Sequence, residues 1–227
     1  MFLVVCLIMI AGCVHAQNKY GLKATTMDGY LASVKSNPNK ELINLEKFVP
    51  GLVLDIRYAT ANNFVGRPVY PEARAFLQRP AAEAVIRVHK QLKKKGLGIV
   101  VFDGYRPWTI TKLFWDVVPE DKRKFVADPT KGSKHNRGCA IDLSIYDLKT
   151  GELIPMPSGY DEFTERASPD YKGGTDKERT NREMLRALME AEGFTVNPNE
   201  WWHFDYKDWQ SYAIYDISFD DAAKGKK

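Results

Sequence analysis

Three residues far apart in the chain carry side chains that could hold a metal ion: His135, Asp142 and His203. The first two lie seven residues apart in SKHNRGCAIDLS, where a polar loop runs into a strand-like segment. Of the four histidines, His15 lies in an apolar N-terminal stretch and His89 on the charged surface of a predicted helix. A histidine-based site must therefore use the other two. Two imidazoles and one carboxylate suit a catalytic zinc ion that keeps its fourth position for water, although manganese and iron stay open.

Two further residues have the chemistry that hydrolysis at such a site needs. Glu200 precedes His203 by three residues and could be the general base for a metal-activated water. A regular strand would put these two side chains on opposite faces, but the NPN stretch before Glu200 is a predicted turn. Arg106 lies in DGYRP, directly after a predicted buried strand, and would stabilise negative charge on a carbonyl oxygen. Taken singly, Arg106 could instead be an ion-pair partner of Asp103.

The elements expected to position these residues indicate one α+β domain. CAIDLSIY alternates, which predicts a half-buried strand with Cys139 on the apolar side and Asp142 on the other. Further strands are predicted at 52–59, 98–103 and 200–206, and helices at 81–96, 109–117 and 181–194, the last capped by Thr180 or Asn181. Because no repeat or interdomain linker interrupts the pattern, we predict a central, mainly antiparallel sheet flanked by helices, with the metal site in a cleft on the sheet.

Residues 1–16 differ in composition from the rest of the chain. FLVVCLIMIAG has the length of a secretory h-region and is too short to cross a bilayer. The VHA that ends at Ala16 resembles a signal-peptidase site, whereas the IAGC that ends at Cys13 resembles a bacterial lipobox, and both alternatives stay open. We therefore expect an exported protein of the bacterial periplasm or cell envelope, attached to a membrane only if Cys13 is lipidated.

The composition is that of a soluble globular protein, with 44% hydrophobic residues, 27% charged residues and a net charge of +4. The clearest basic cluster, KQLKKK, ends a predicted helix without interleaved aromatic residues, which argues against a nucleic-acid partner. Cys139 is the only cysteine after Cys13, so no disulfide framework is expected. We predict a loosely attached polar lead-in at 17–45 and a basic tail at 221–227.

Together, these motifs resemble the D-alanyl-D-alanine dipeptidases, zinc peptidases related to D,D-carboxypeptidases and to the hedgehog signalling domain. The resemblance rests on SxHxxGxAxD, EWWH and DGYRP, with DIRYAT and NNFVG upstream. It extends over about residues 52–215, within an expected zinc dipeptidase domain of 46–220. It implies one zinc ion per chain, with these roles for the candidate residues: His135, Asp142 and His203 as ligands, Glu200 as general base and Arg106 as the group that stabilises the tetrahedral intermediate.

Shorter local matches to the same family imply three substrate contacts. Asp161 would receive the substrate ammonium, Ser133 would help to hold the terminal carboxylate, and Tyr58 would line the pocket. The segment between Arg106 and Ser133 is short compared with some relatives, a departure at the pocket rim that bears on strict dipeptide selectivity. The activity implied is zinc-dependent hydrolysis of the small dipeptide D-Ala-D-Ala to two D-Ala in cell-wall peptide metabolism.

Three alternatives stay open from the sequence. A D,D- or L,D-carboxypeptidase would apply the same chemistry to longer peptidoglycan stem peptides. A non-catalytic, zinc-containing peptidoglycan-binding module would not need Glu200, and its structural zinc would normally have four protein ligands. A cysteine hydrolase built from Cys139 and His135 is disfavoured, because Cys139 faces the apolar side of its predicted strand.

Overall fold

The computed structural model describes residues 19–225, and every structural statement below concerns that range. Its centre is a five-stranded sheet in the order β2-β4-β5-β7-β6. The strands are β2 (Val53–Leu54), β4 (Leu97–Asp103), β5 (Ala140–Asp147), β6 (Phe194–Asn197) and β7 (Glu200–Tyr206). Only β2 and β4 run parallel; the other neighbouring pairs are antiparallel. The predicted α+β fold with a mainly antiparallel sheet is confirmed.

Six α-helices and a second, small sheet complete the described fold. The helices are α1 (Met27–Ser36), α2 (Leu45–Phe48), α3 (Arg79–Lys93), α4 (Trp108–Val117), α5 (Asp176–Ala191) and α6 (Phe219–Ala222). The small sheet pairs β1 (Leu42–Asn44) with β3 (Phe76–Gln78) in antiparallel register. Within residues 19–225, no helix has both the length and the apolar character needed to cross a membrane.

The strand that carries Asp142 is more buried than its alternation indicated. β5 lies between β4 and β7, and all six residues from Ala140 to Ile145 are buried. The prediction of a half-buried strand was therefore wrong, because both faces of the sheet are covered. Tyr160, from the segment after β5, contacts Asp142 on one of these faces. Asp142 thus lies in a largely water-excluded site, where an uncompensated charge is costly.

Three details of the helices and strands correct the sequence interpretation. α5 begins at Asp176 rather than at 181, because Thr175 and Glu178 form a reciprocal capping box. His89 does not lie on an exposed surface: its ring is buried, and its Nε2 lies 3.2 Å from the Pro50 carbonyl oxygen. The strand predicted at 52–59 is limited to two residues, after which a 3₁₀ turn carries Tyr58 into the core.

The ends of the described chain belong to the domain. Tyr30 of α1 is fully buried, and β1 hydrogen-bonds to β3, so the predicted loose lead-in at 17–45 was wrong from the start of α1 onward. The predicted basic tail at 221–227 begins inside α6, where Phe219 and Ala222 are buried. The expected leader at residues 1–16, with Cys13, lies outside the described residues.

Candidate metal centre and active site

His135, Asp142 and His203 converge at the centre of the sheet. Asp142 of β5 and His203 of β7 are direct cross-strand partners, and His135 lies in the 3₁₀ turn that precedes β5. His135 Nε2 lies 3.1 Å from His203 Nδ1 and 3.4 Å from Asp142 Oδ1, and His203 Nδ1 lies 3.0 Å from Asp142 Oδ1. These three atoms form a triangle of donor atoms. All three side chains are buried. The predicted convergence of the three residues is therefore present.

Two glycines allow the backbone to present His135. Gly138 ends the 3₁₀ turn with φ of 65°, and a Cβ there would collide with Leu42. Gly104 approaches β3 so closely that a Cβ would lie 2.7 Å from the Phe76 carbonyl oxygen. The carbonyl of Gly104 accepts a hydrogen bond from His135 Nδ1 at 2.7 Å, which turns the other ring nitrogen toward Asp142.

The hydrogen bonds of both histidines leave bare nitrogens facing each other. The Gly104 carbonyl can only accept, so His135 Nδ1 carries the proton and Nε2 keeps its lone pair. Asp205 Oδ1 accepts from His203 Nε2 at 2.9 Å, so a neutral His203 ring has no proton on Nδ1. Asp142 Oδ1, the third corner of the triangle, is buried and has no hydrogen-bond donor. With both rings neutral, three lone pairs at this spacing repel one another unless a metal ion or a proton lies between them.

This donor set fits a small divalent cation. Tetrahedral ligands at about 2.0–2.1 Å from zinc lie about 3.3 Å apart, and the triangle of donor atoms has sides of 3.0 to 3.4 Å. Burial opposes the protonation of His203, yet Asp205 and Asp142 hold its pKa well above the usual value. The surroundings therefore attract positive charge to this position. The described residues support a metal site, and the choice of metal rests on the ligand types alone.

Glu200 lies at the edge of the triangle of donor atoms. Its Oε2 is 3.7 Å from His203 Nδ1 and accepts a hydrogen bond from Asn197 Nδ2 at 2.9 Å. A register shift between Val196 and Asn197 interrupts the β6–β7 pairing, so strict alternation does not hold at the start of β7. That irregularity lets Glu200 and His203 approach despite their three-residue spacing. Burial raises the pKa of Glu200 to about 8, and Asp142 adds to the rise, while His203 opposes it.

Arg106 is fixed by a carboxylate and by aromatic rings. Its Nε and Nη2 donate to Asp103 Oδ2 at 3.0 and 2.7 Å, and both side chains are buried. The guanidinium lies 4.7 Å from the Phe114 ring centroid and 5.6 Å from that of Tyr58. Burial disfavours its charge, but Asp103 holds its pKa well above the usual value. Arg106 is thus a rigid, permanent cation on the wall of the cavity that contains His135, Asp142 and His203.

The three expected substrate contacts, Tyr58, Asp161 and Ser133, also line this cavity. Tyr58 donates from its hydroxyl to Asp161 Oδ2 at 2.9 Å. Asp161 has φ of 60°, and burial together with Asp142 raises its pKa to about 7. Ser133 Oγ accepts from the His135 backbone N–H at 3.1 Å, which leaves its hydroxyl proton free to donate into the cavity. The structure brings all eight candidate residues to one site.

The cavity measures about 220 Å³ and has two different walls. One wall carries the triangle of donor atoms, Glu200 and Arg106. The other is aromatic and consists of the rings of Phe64, Phe114, Phe125 and Phe163. The last two stack with parallel planes at 4.9 Å, and Phe64 contacts both Phe114 and Phe163 at 4.8 and 5.2 Å. The cavity is below the range of about 300–1,000 Å³ that is usual for drug-sized ligands.

Several residues that support the site were missed from the sequence. Tyr160 donates to Asp142 Oδ2 at 3.2 Å, which leaves Oδ1 for the triangle of donor atoms. Asn136 is fully buried and joins Ser133 to the carbonyl of Arg106. Asp205 follows His203 by two residues, a spacing that places both side chains on the same face of a strand. Among these three residues, only Asp205 could have been found from its spacing in the sequence. The other contacts depend on loops whose paths the sequence does not reveal.

Cys139 is not placed for nucleophilic chemistry. Its side chain is fully buried and does not line the cavity, and its Sγ contacts the Arg137 carbonyl at 3.5 Å. Burial raises the pKa of the thiol, so the reactive thiolate is disfavoured. This geometry argues against the cysteine hydrolase alternative.

Comparisons with known proteins agree with the motifs. A family model described as D-ala-D-ala dipeptidase matches residues 38–224, including parts of the predicted lead-in and tail. The D-alanyl-D-alanine dipeptidase of Escherichia coli (strain K12) is 34% identical, covering 77% of this chain and 89% of the relative. The D-alanyl-D-alanine dipeptidase of Enterococcus faecium is 35% identical, covering 72% of this chain and 90% of the relative.

Among solved structures, the vancomycin resistance D,D-dipeptidase VanXYg, in complex with a D-Ala-D-Ala phosphinate analog, matches with a TM-score of 0.34 and 23% identity. This match covers 82% of the chain and 70% of the solved one. The family model extends over most of the sequence, and the E. coli relative is matched along most of both chains. The chain therefore belongs to the D-Ala-D-Ala dipeptidase family of peptidases.

Proposed function

We propose that this protein hydrolyses D-Ala-D-Ala to two molecules of D-Ala, with one zinc ion held by His135, Asp142 and His203. The observation that carries the proposal is the buried triangle of donor atoms, 3.0 to 3.4 Å on each side, with the Glu200 carboxylate 3.7 Å from one corner. Family membership and relatives named D-alanyl-D-alanine dipeptidase support the choice of substrate. Two nitrogens and one oxygen favour zinc over magnesium or calcium.

The protein's own residues account for the proton transfers. The zinc ion, when bound, supplies Lewis acidity that polarises the scissile carbonyl and acidifies water. Glu200 takes a proton from the attacking water and later returns it to the leaving amine. Asn197 holds the Glu200 carboxylate through Oε2, which keeps the base in place between the two transfers. Arg106 stabilises the oxyanion, since its charge is permanent and its position is fixed by Asp103.

The two charged ends of the dipeptide require opposite charges in the cavity. Asp161 is half-buried in the cavity wall and accepts one hydrogen bond from Tyr58, so its carboxylate is suited to receive the substrate ammonium. The hydroxyl of Ser133 is free to donate to the carboxylate. Lys124 lines the same cavity, and within residues 19–225 its ammonium makes no ion pair. A small cavity with charges at both ends favours free dipeptides, because longer peptides would leave these groups unpaired.

The test is an assay of purified, metal-analysed protein against D-Ala-D-Ala, L-Ala-L-Ala and a pentapeptide that ends in D-Ala-D-Ala. Release of D-Ala from the first substrate alone, lost on chelation and restored by zinc, is the expected result. Release of D-Ala from the pentapeptide would instead identify a carboxypeptidase. Stoichiometric zinc without hydrolysis of any substrate would overturn the proposal in favour of a binding module.

We also propose that the protein is exported to the periplasm or cell envelope, with a role in cell-wall peptide metabolism. The support is the sequence of residues 1–16, whose two processing motifs predict different mature N-termini. Mass spectrometry of the mature protein distinguishes them. A chain that begins at Gln17 indicates signal-peptidase cleavage, and a lipid-modified Cys13 indicates an anchored lipoprotein. An unprocessed chain in the cytoplasmic fraction would contradict export.

A further inference from the structure

The two histidines of the metal centre are held by different kinds of partner. His135 Nδ1 donates to a neutral backbone carbonyl, that of Gly104. His203 Nε2 donates instead to a carboxylate, Asp205 Oδ1, at 2.9 Å. A backbone acceptor fixes the ring orientation without adding charge. A carboxylate acceptor also makes the opposite ring nitrogen a stronger electron donor.

A lysine completes the hydrogen-bond chain behind His203. The second oxygen of the Asp205 carboxylate, Oδ2, accepts from Lys134 Nζ at 2.9 Å, and the same ammonium lies 5.3 Å from the Trp209 ring centroid. Asp205 is thus held at both oxygens, one by the histidine and one by the lysine. Its side chain is only 15% exposed, so either partner would be costly to lose.

Lys134 connects this chain to the substrate cavity. It precedes His135 by one residue in the motif of the metal centre, and it is among the cavity-lining residues. Its backbone carbonyl accepts from the Cys139 N–H at 3.0 Å, which fixes the residue at the start of the 3₁₀ turn. Lys134 therefore lines the cavity, holds the Asp205 carboxylate that supports His203, and begins the turn that carries His135.

We infer that Asp205 and Lys134 are a positioning pair for His203, and this inference rests on the proposed metal site. Asp205 keeps the proton on Nε2, so His203 can bind a metal only through Nδ1. Lys134 holds the Asp205 carboxylate in the orientation that this hydrogen bond requires. Neither residue contacts the metal or the reacting atoms. Both act through the tautomer and the ring plane of one ligand.

The test measures metal affinity rather than turnover. Zinc is removed, and the affinity of the metal-free protein is determined by competition with a chromophoric chelator for wild type, Asp205→Asn and Lys134→Met. Asp205→Asn should weaken zinc binding by about 10- to 100-fold, the range for lost hydrogen bonds behind metal ligands. Lys134→Met should weaken it less, because the hydrogen bond to His203 remains. The visible spectrum of the cobalt-substituted protein should change in both variants.

A double variant separates a positioning role from a general structural one. If Lys134 acts through Asp205, adding Lys134→Met to Asp205→Asn should cause little further loss of affinity. The controls are Lys207→Met and Asp208→Asn, an exposed pair of residues just beyond β7, and both should bind zinc as wild type does. Thermal unfolding of the metal-free variants should show that each remains folded at the temperature of the affinity measurement.

Three results would overturn the inference: zinc affinity within twofold of wild type in Asp205→Asn, an unchanged cobalt spectrum, or additive losses in the double variant. If Asp205→Asn does not fold, Lys134→Met carries the test, and wild-type affinity in that variant overturns the inference. Because no substrate is present, failure of wild type to cleave D-Ala-D-Ala would contradict the proposed function and leave this measurement unaffected.

Discussion

The two walls of the cavity are built in different ways. On the metal side, which carries the candidate ligands, these residues belong to strands or tight turns, and hydrogen bonds fix their side chains. His135 donates to Gly104, for example, and Asp142 accepts from Tyr160. On the aromatic side, Phe125 and Phe163 belong to loops and short turns, and they contact each other only by stacking. Stacking is weakly directional compared with these hydrogen bonds.

The difference separates two tasks of the site. Chemistry at a metal requires donor atoms placed to within a fraction of an ångström, which strand pairing and paired hydrogen bonds can supply. Limiting the length of the substrate also depends on how the rest of the cavity is filled, and this does not require donor atoms at fixed positions. We therefore expect changes on the metal side to abolish the reaction, and changes on the aromatic side to alter which peptides react.

The largest effect should come from loss of a ligand. His135→Ala should reduce activity to background, because it removes one of the three donors to the metal. It also leaves the negative charge of the buried Asp142 carboxylate with fewer polar groups around it. Zinc content measured by atomic absorption should fall with activity. Chelated wild type should recover when zinc is added back, and the variant should not. Recovery in the variant would remove His135 from the ligand set.

Glu200→Gln should retain zinc but lower kcat by about 10²- to 10⁴-fold, the usual contribution of a general base. Glutamine keeps the size of the side chain and an oxygen that can accept from Asn197. The matched control is Glu190→Gln on the exposed face of α5, which should leave kcat unchanged. Near-wild-type turnover in Glu200→Gln would exclude this base.

Arg106→Lys should lower kcat by about 10²- to 10³-fold, which is the usual effect of removing one hydrogen-bond donor to an oxyanion. Lysine keeps the charge but cannot donate to Asp103 through two nitrogens at once. Arg186→Lys on α5 is the surface control. An equal drop in both variants, or none in either, would contradict an oxyanion role for Arg106.

Asp161 should make the stability of the metal-free protein depend on pH. Its folded pKa of about 7 lies above the usual value, so the folded state binds more protons than the unfolded state between pH 4 and 7. Its contribution to stability therefore falls as pH rises through that window, by at most about 1.4 kcal/mol per pH unit. Asp161→Asn, which tolerates the left-handed backbone, should be more stable than wild type at pH 8. The two should converge near pH 4 in thermal unfolding, and parallel curves would contradict the prediction.

The smallest effect should come from the aromatic wall. Phe163→Ala removes the ring that joins Phe125 to Phe64, and should lower kcat/KM for D-Ala-D-Ala only a few-fold. The ratio of tripeptide to dipeptide hydrolysis should rise, because the wall then leaves room for a further residue. Phe48→Ala, a half-buried ring remote from this cavity, is the matched control. An unchanged ratio would show that the aromatic wall does not limit substrate length.

Residue types and motifs were sufficient to predict the side chains that meet at the site. His135, Asp142 and His203 could be selected because few histidines were available and each lay in a distinctive motif. The approach of Glu200 to His203 could not be derived from spacing, because it depends on a register shift between β6 and β7. Such irregularities arise from pairing between strands, which a single sequence does not display.

Burial and loop paths were the least predictable features. His89 was interpreted as exposed because charged residues surround it in sequence, yet its position on α3 matches that of Val85 and Leu92, which are buried. The start of α5 was readable, since Thr175 and Glu178 have the spacing of a capping box. The contact between Tyr160 and Asp142 was not, because a polar loop folds back over the sheet to make it.

The cross-strand pairing of Asp142 with His203 links the metal centre to the folding of the sheet. A slip of one residue between β5 and β7 would turn one of these side chains to the opposite face, and the ion would lose a ligand. A metal ion bound by both residues would therefore favour the native register over its nearest competitors. A bound cation would thus help to select the correct alignment of β5 and β7. Metal-free chains should therefore misalign more often during refolding than chains given zinc.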